Sequence, residues 1–298
     1  MCGIMGYYCF SEKKPDKQKI ADMFGLLETR GRDASGFAFI RDGGLIVQKA
    51  PIRSTTMIHS KEWKELDLPQ IFIAHTRMKT QGTEKNNANN HPLFSKTGIC
   101  IVHNGMIHND KEIFGKNRRD AEVDSEAILA VLSSKCKGDK IKHVFEKLEG
   151  SFAFAMINKN DPGRLVLVKK DNPLELYLDT ESEILYFCSE RDIMRESLGI
   201  VSKTKLGFNI GEISYHHFTM ENNYSLVLNK DGVESYRKYM PKRVWRPRTL
   251  HEVFDEEDDP ILVQCPYCLS ETTYFMEKLY NRCGQCGMEI TEDLLYEM

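Results

Sequence analysis

The sequence predicts an α+β layered domain followed by a small separate module, on three observations. Strand-like runs come first, helices next and strands again, without the regular alternation of a βαβ repeat. A basic segment followed by an acidic run breaks the composition near residue 237. Four of the nine cysteines fall together beyond that break.

Gly3 to Phe10 is apolar and aromatic up to a polar break at Ser11, and reads as the first strand. Ile20, Met23, Phe24 and Leu27 recur at helical spacing, so a helix is expected up to the turn at Gly31. Short strand-like runs follow at Gly36–Ile40, Leu45–Lys49, Ile71–His75 and Ile99–His103. Thr76 to Pro92 is polar, rich in asparagine and without periodicity; a loop that long inside a compact domain usually has a function. Helices are expected over Asp124–Lys135 and Asp139–Glu149, and strands over Ser151–Asn158, Leu165–Lys169, Leu176–Leu178 and Ile184–Ser189.

At 298 residues the chain can bury a sizeable core without disulfides. Hydrophobic content of 41% and charged content of 29% fit an ordinary globular protein. A formal net charge of -3 leaves no global electrostatic footprint for nucleic acid or an anionic membrane. No apolar stretch approaches the roughly 18 residues that cross a bilayer. The start, MCGIMGYYCF, runs directly into SEKKPDKQK and lacks the pattern of a signal peptide. A cytoplasmic location is therefore expected, where thiols stay reduced. The cysteines then read as catalytic, metal-binding or buried, and Cys9, Cys100, Cys136 and Cys188 sit in apolar contexts that suit buried thiols.

Cys2 becomes the first residue if Met1 is removed, and then carries a thiol and a free α-amine together. The thiolate is the nucleophile, and an α-amine that titrates at about 7.7–8 can serve as its base near neutrality. Attack on an amide carbonyl also needs donors aimed at the developing oxyanion. His103-Asn104-Gly105 follows an apolar strand and reads as the start of a turn, with a side-chain amide beside a glycine N–H. Arg77 can grip a carboxylate as a bidentate fork, and Asp124 can hold an ammonium group. Taken by itself, Asp124 reads better as a helix N-cap.

Met1-Cys2-Gly3-Ile4, Arg30-Gly31-Arg32-Asp33-Ala34-Ser35-Gly36, His75-Thr76-Arg77, Asn89-Asn90-His91-Pro92, His103-Asn104-Gly105 and Asp124-Ser125-Glu126 occur in that order. In this the chain resembles the class II glutamine amidotransferases, over residues 2 to about 215, with Ser189-Glu190 and Gly211-Glu212-Ile213 near the end of the match. The resemblance implies a four-layer αββα N-terminal nucleophile hydrolase fold and glutamine as substrate. It makes Cys2 the nucleophile that forms a γ-glutamyl thioester, and Asn104 and Gly105 the oxyanion hole. It puts Arg77 on the substrate carboxylate and Asp124 on its ammonium. Thr80 falls in the loop that closes over glutamine, and His91 matches a framework histidine of that loop, with a structural role or a direct substrate contact both open. His75 and His103 read as core or hinge residues. Met78 and Gln81 depart from relatives that use glucosamine substrates, which have Trp and His there.

The acceptor-activating domains of this family are far larger than the residues that remain, and neither a Walker loop nor a Ser-Gly-Gly run is present. The chain is therefore expected to perform the glutaminase half, with a protein partner supplying the acceptor chemistry. Two other readings keep the same residues: hydrolysis of another γ-glutamyl amide, or a non-catalytic scaffold.

Cys265-Pro-Tyr-Cys268 and Cys283-Gly-Gln-Cys286 form paired C-x2-C knuckles, and Gly284 and Gly287 suit such turns. Four thiolates at this spacing describe a structural zinc ribbon closed to substrate. The expected division is residues 2–236 for the amidotransferase domain, 237–260 for a charged linker and 261–298 for the ribbon. Arg237, Lys238, Lys242, Arg243, Arg246 and Arg248, interleaved with Tyr239 and Trp245, would suit nucleic acid. The acidic run Asp255–Asp259 beside them favours a solvated linker instead.

Overall fold

The computed structural model describes residues 2–135, 138–200 and 215–240, and also 261–265, 268, 270–274, 281–283 and 285–290. The chain divides into two compact units, Met1–Lys242 and Arg243–Met298.

In the first unit, β1 (Gly3–Cys9) leads into α1 (Lys17–Leu26), capped by Asp16, whose carboxylate accepts from the Gln18 N–H. The hairpin β2 (Ala34–Arg41) and β3 (Gly44–Ala50) is followed by two one-turn helices, α2 (Ser54–Met57) and α3 (Lys61–Lys64). Next come β4 (Ile71–Arg77), the short β5 (Leu93–Phe94) and β6 (Ile99–Ile107). Three helices follow: α4 (Asp110–Phe114), α5 (Glu126–Ser133) and α6 (Lys140–Lys147), the last capped by Asp139. The remainder comprises β7 (Gly150–Asn158), β8 (Asp161–Lys170), β9 (Glu175–Asp179), β10 (Ile184–Cys188), α7 (Arg191–Leu198), β11 (Tyr215–Thr219), β12 (Tyr224–Asn229) and β13 (Gly232–Lys238).

These strands build two antiparallel sheets, ordered β11-β9-β10-β1-β4-β2-β3 and β13-β12-β8-β7-β6-β5. Side-chain alternation explains why both are buried on two faces. In β1, Ile4 and Tyr8 join Val102, Ala153 and Leu167 in a core between the sheets. Met5, Tyr7 and Cys9 join Ile20, Met23 and Phe24 of α1 and Met194 of α7 on the opposite face. On the far side of the second sheet, Ile101, Phe152 and Phe154 pack with Ile128 and Leu132 of α5 and Val144 and Phe145 of α6. Helices, two sheets and helices make the four layers, and the fold is αββα.

Some elements depart from the sequence reading. α7 was not expected, because its apolar Ile193, Met194 and Leu198 sit among charges; Gly199, with φ of 71°, ends it. The basic-aromatic segment begins inside the sheet rather than in a linker. Arg237 and Lys238 belong to β13, and Tyr239 is buried with its ring stacked on Phe145 at 4.8 Å. Cys9, Cys100 and Cys188 are buried thiols, while Cys136 and Gly211-Glu212-Ile213 lie outside the described residues. No helix among the described residues is long and apolar enough to cross a membrane.

In the second unit, β14 (Ile261–Gln264) pairs with β15 (Glu271–Tyr274), and β16 (Asn281–Arg282) pairs with β17 (Glu289–Ile290). Each of these two small hairpins ends in a cysteine knuckle.

Candidate active site

Cys2 stands at the head of β1, the strand at the centre of the larger sheet. Its backbone is fixed from both sides. The Arg30 Nε donates to the Cys2 carbonyl at 2.8 Å, and the Arg30 guanidinium is paired with Glu190. Two residues along, the Ile4 N–H donates to Ser189 Oγ at 2.9 Å, while the Ser189 N–H returns a bond to the Ile4 carbonyl at 2.9 Å. Gly3 pairs with Thr76 of β4, where a Cβ would lie 2.7 Å from the Leu27 side chain, so a side chain there would displace the strand. The Cys2 thiol is 3.5 Å from the Met78 carbonyl. Burial pushes this thiol above its ordinary range; the nearby Arg77 guanidinium opposes the shift and the Asp124 carboxylate adds to it.

Arg77 ends β4 and is buried. It donates to Asn90 Oδ1 at 2.9 Å and to the carbonyls of Gln81 and Gly82, the latter at 3.0 Å. The polar loop after β4 thus folds round its guanidinium, and the Asn90 amide continues the network to the Glu84 carbonyl at 2.7 Å. Thr80 lies exposed on this loop beside Met78, which is 51% exposed. The loop is also shorter than the sequence suggests, since β4 runs through Arg77 and a 3-10 turn forms at Asn87–Asn89.

Asn104 and Gly105 lie within β6 rather than in a turn, paired with Ala153 and Phe152 of β7. Gly105 has a φ of 141°, and a Cβ there would stand 2.1 Å from the Ser151 carbonyl oxygen. Glycine is required because two backbones approach closely. The Asn104 side chain is buried, and its Nδ2 has no hydrogen-bond partner among the described residues. Leaving such a donor unpaired costs about 1–3 kcal/mol.

Asp124 is not the cap of α5. Its Oδ2 accepts the Ile107 N–H at 2.7 Å, which ties it to the end of β6. Ser125 occupies the cap position, but makes no side-chain cap bond. Its Oγ is instead 2.7 Å from His103 Nδ1. His75, His91 and His103 are all buried together. The His75 and His91 rings stack at 4.2 Å, and the His91 and His103 centroids are 6.4 Å apart. Both ring nitrogens of His91 lack a partner among the described residues, so its contacts in the structure are those of a packed framework residue.

The structure thus brings Cys2, Arg77 and Asp124 into mutual electrostatic reach, and seats Asn104 and Gly105 on the strand tied to Asp124. Arg30, Ser189 and Glu190 had no individual role assigned from sequence, although the motifs that contain them were visible.

In the second unit, the sulfurs of Cys265, Cys268, Cys283 and Cys286 all lie within 4.8 Å of one another. Cys265 to Cys286 and Cys268 to Cys283 are each 3.7 Å apart. Four thiolates tetrahedrally placed at 2.3 Å from one ion are about 3.8 Å apart, whereas a disulfide needs about 2.05 Å. The cluster has the geometry of a metal site. The knuckles repeat one backbone pattern: Cys265 N–H to the Ser270 carbonyl and Cys283 N–H to the Met288 carbonyl, both 2.9 Å. Gly287 turns the second knuckle with φ of 72°, while Gly284 lies outside the described residues.

Residues 75–196 match the model of a family described as glutamine amidotransferase domain. A glutamine--fructose-6-phosphate aminotransferase (isomerizing) of Aquifex aeolicus is 33% identical over 183 residues, covering 58% of this chain and 30% of that protein. The protein of the same description from Clostridium acetobutylicum is 33% identical over 306 aligned positions, covering 94% of this chain and 48% of its own length. The chain thus spans less than half the length of these relatives. In fold it is similar to the glutamine phosphoribosylpyrophosphate amidotransferase of B. subtilis solved with ADP and GMP. That match has a TM-score of 0.61 at 18% identity, covering 80% of this chain and 49% of the other. This chain carries a glutamine amidotransferase domain of the class II family, on an N-terminal nucleophile hydrolase fold.

Proposed function

We propose that the chain hydrolyses glutamine to glutamate and ammonia, with Cys2 as nucleophile after removal of Met1. The α-amine of Cys2 takes the thiol proton as sulfur attacks the side-chain amide carbon. The tetrahedral oxyanion is held by Asn104 Nδ2 and the Gly105 N–H. Collapse breaks the C–N bond, and the proton passes from the α-ammonium to the leaving amine, giving ammonia and a γ-glutamyl thioester. Water then attacks the thioester, the amine again taking a proton, and glutamate leaves with the thiol restored. Arg77 grips the substrate α-carboxylate and Asp124 its α-ammonium, while the loop bearing Thr80 covers the site and His91 supports that loop from below.

The observation that carries this reading is the unpaired donor of Asn104, buried on the strand tied to Asp124. A fixed donor held ready for a charge that forms only during reaction is the arrangement that lowers a barrier, since nothing must reorganise when the charge appears.

The ammonia goes to an acceptor activated by a separate protein. The domain extends past residue 236, through β13 and the buried Tyr239 to about residue 242, and the four-cysteine module occupies residues 261–298. Zinc is the metal that the four thiolates suit, in a structural role with every coordination position filled by protein. The protein works in the cytoplasm, where free thiols persist.

Intact mass before and after treatment with diazo-oxo-norleucine, together with glutamate release, tests the enzymatic reading. Loss of Met1 and one adduct on Cys2 are expected; retained Met1 with no adduct and no glutamate would exclude it. A second reading, hydrolysis of another γ-glutamyl amide, draws on the exposed Met78 and on Gln81 in the covering loop. Relative turnover of glutamine and γ-glutamyl conjugates separates the two.

A further inference from the structure

The segments that carry Arg77, Asn104 and Asp124 each also carry a member of a buried polar chain. His75 lies two residues before Arg77 on β4, His103 directly precedes Asn104 on β6, and Ser125 directly follows Asp124. His75 Nε2 is 3.0 Å from the His103 carbonyl oxygen, and His103 Nδ1 is 2.7 Å from Ser125 Oγ. A carbonyl oxygen only accepts, so the His75 proton sits on Nε2. Burial holds His75 neutral by pulling its pKa down to about 3, and the neutral tautomer keeps this bond across the physiological range. The His91 ring stacks on that of His75.

The position of these bonds gives them their significance. The carbonyl that His75 holds belongs to the same peptide group as the Asn104 nitrogen, so that peptide plane is pinned to β4. β6 is then tied to the Asp124–Ser125 turn twice: by His103 to Ser125, and by the Ile107 N–H to Asp124. Asn104 and Gly105 lie between the two ties. All four side chains in the network are buried.

We infer that His75, His103 and Ser125 are positioning residues for the proposed glutaminase reaction. They lock the oxyanion donor of Asn104 at a fixed place relative to Arg77 and Asp124, the groups that grip the substrate's α-substituents. The inference rests on the reading above and extends it to residues that touch no substrate. A displaced donor weakens the transition state while leaving ground-state binding in place, because the amide oxygen of bound glutamine needs that donor far less than the oxyanion does.

The experiment uses the full chain with Ser125→Ala, His103→Leu and His103→Asn, beside wild type and Asn104→Ala. Ser125→Ala removes one oxygen and is expected to lower kcat about 10- to 100-fold, the scale of a misplacement of about 1 Å. KM should stay within about threefold of wild type, as expected when an interaction confined to the transition state is lost. Inhibition constants for L-glutamate and for glutamate γ-semialdehyde give a second readout. The aldehyde adds to the thiol and puts an oxygen in the oxyanion position, so its affinity should fall in step with kcat while glutamate binding holds. His103→Asn keeps a polar atom near the Nδ1 position and should recover part of the rate lost in His103→Leu. If His103→Leu does not fold, Ser125→Ala decides. A folded Ser125→Ala protein with wild-type kcat, or with equal losses for both inhibitors, overturns the inference while leaving the glutaminase reading intact. A wild-type chain that neither releases glutamate nor takes an adduct on Cys2 overturns the reading beneath it, and the inference with it.

Discussion

Cys2 and the four C-terminal cysteines show one residue type used in opposite ways. The Cys2 thiol stands alone at a strand end, with its backbone gripped by Arg30 and its neighbours Gly3 and Ile4 paired to β4 and Ser189. Around it three layered cores supply the rigidity, so the thiol itself holds nothing together. In the second unit the relation is reversed. Four sulfurs converge from two short hairpins, whose strands among the described residues are two to four residues long. A reactive cysteine needs a scaffold built by other residues, whereas clustered cysteines that take up a metal can themselves supply the cross-link of a small fold.

The largest effect that would sharpen this contrast is removal of the metal. A structural zinc contributes about 10–16 kcal/mol to such a module. One zinc per chain is expected by elemental analysis, and chelation or Cys283→Ser should abolish protease resistance in residues 243–298. Glutamate release by the first unit should persist. A chain that keeps its C-terminal module folded after complete metal loss would break the comparison.

The next effects concern the donor and its strand. Asn104→Ala should cost about 10²–10³ in kcat, the usual loss for one oxyanion donor, with the fold retained. Gly105→Ala should act on stability as well. The new Cβ would meet the Ser151 oxygen at 2.1 Å, at a φ of 141° that side chains rarely adopt. A loss of about 3 kcal/mol is expected from strain and overpacking together, measurable by denaturant unfolding. If Gly105→Ala unfolded at the wild-type midpoint, the close backbone approach would be disproved.

Most of the scaffold and the candidate groups were legible because the strands are apolar on both faces and the motifs occur in a fixed order. Asn104-Gly105, coming after an apolar run, reads locally as the start of a turn. Here Gly105 and Gly150 instead let β6 and β7 approach, each leaving room for a carbonyl of the opposite strand. Asp124 looked like a helix cap for an equally local reason, while its actual partner, the Ile107 N–H, lies 17 positions away. The Ser125–His103 bond spans 22 positions and leaves no mark in either segment alone. Local patterns reveal elements and residue types; which polar atoms meet is decided by sheet packing.

The smallest effect separates the two units by acid rather than by chelation. Burial pulls the pKa of His75 from 6.5 to about 3, and the pKa values of His91 and His103 also fall, with burial as the leading cause. A depressed histidine is neutral in the folded chain but protonated in the unfolded chain below pH 6.5. Its contribution is therefore complete above 6.5 and is lost as pH falls toward 3. For His75 alone the loss is about 2 kcal/mol at pH 5, and the other two histidines act in the same direction. At Asp139 burial opposes the charged form, but the carboxylate accepts from the Lys142 N–H, Tyr239, the Ile141 N–H and Arg237, and these bonds prevail. Its folded pKa lies below the ordinary value of 3.8, so its contribution is lost only at lower pH. The interval between pH 6.5 and 5 thus reports on the histidines. Urea unfolding of the first unit, followed through its buried Trp63, should show stability falling across that interval, and the slope should lessen in His75→Gln. A flat profile would mean that the imidazoles are charged or solvated in the folded chain, and that the polar interior beneath the site is not the sealed framework described above.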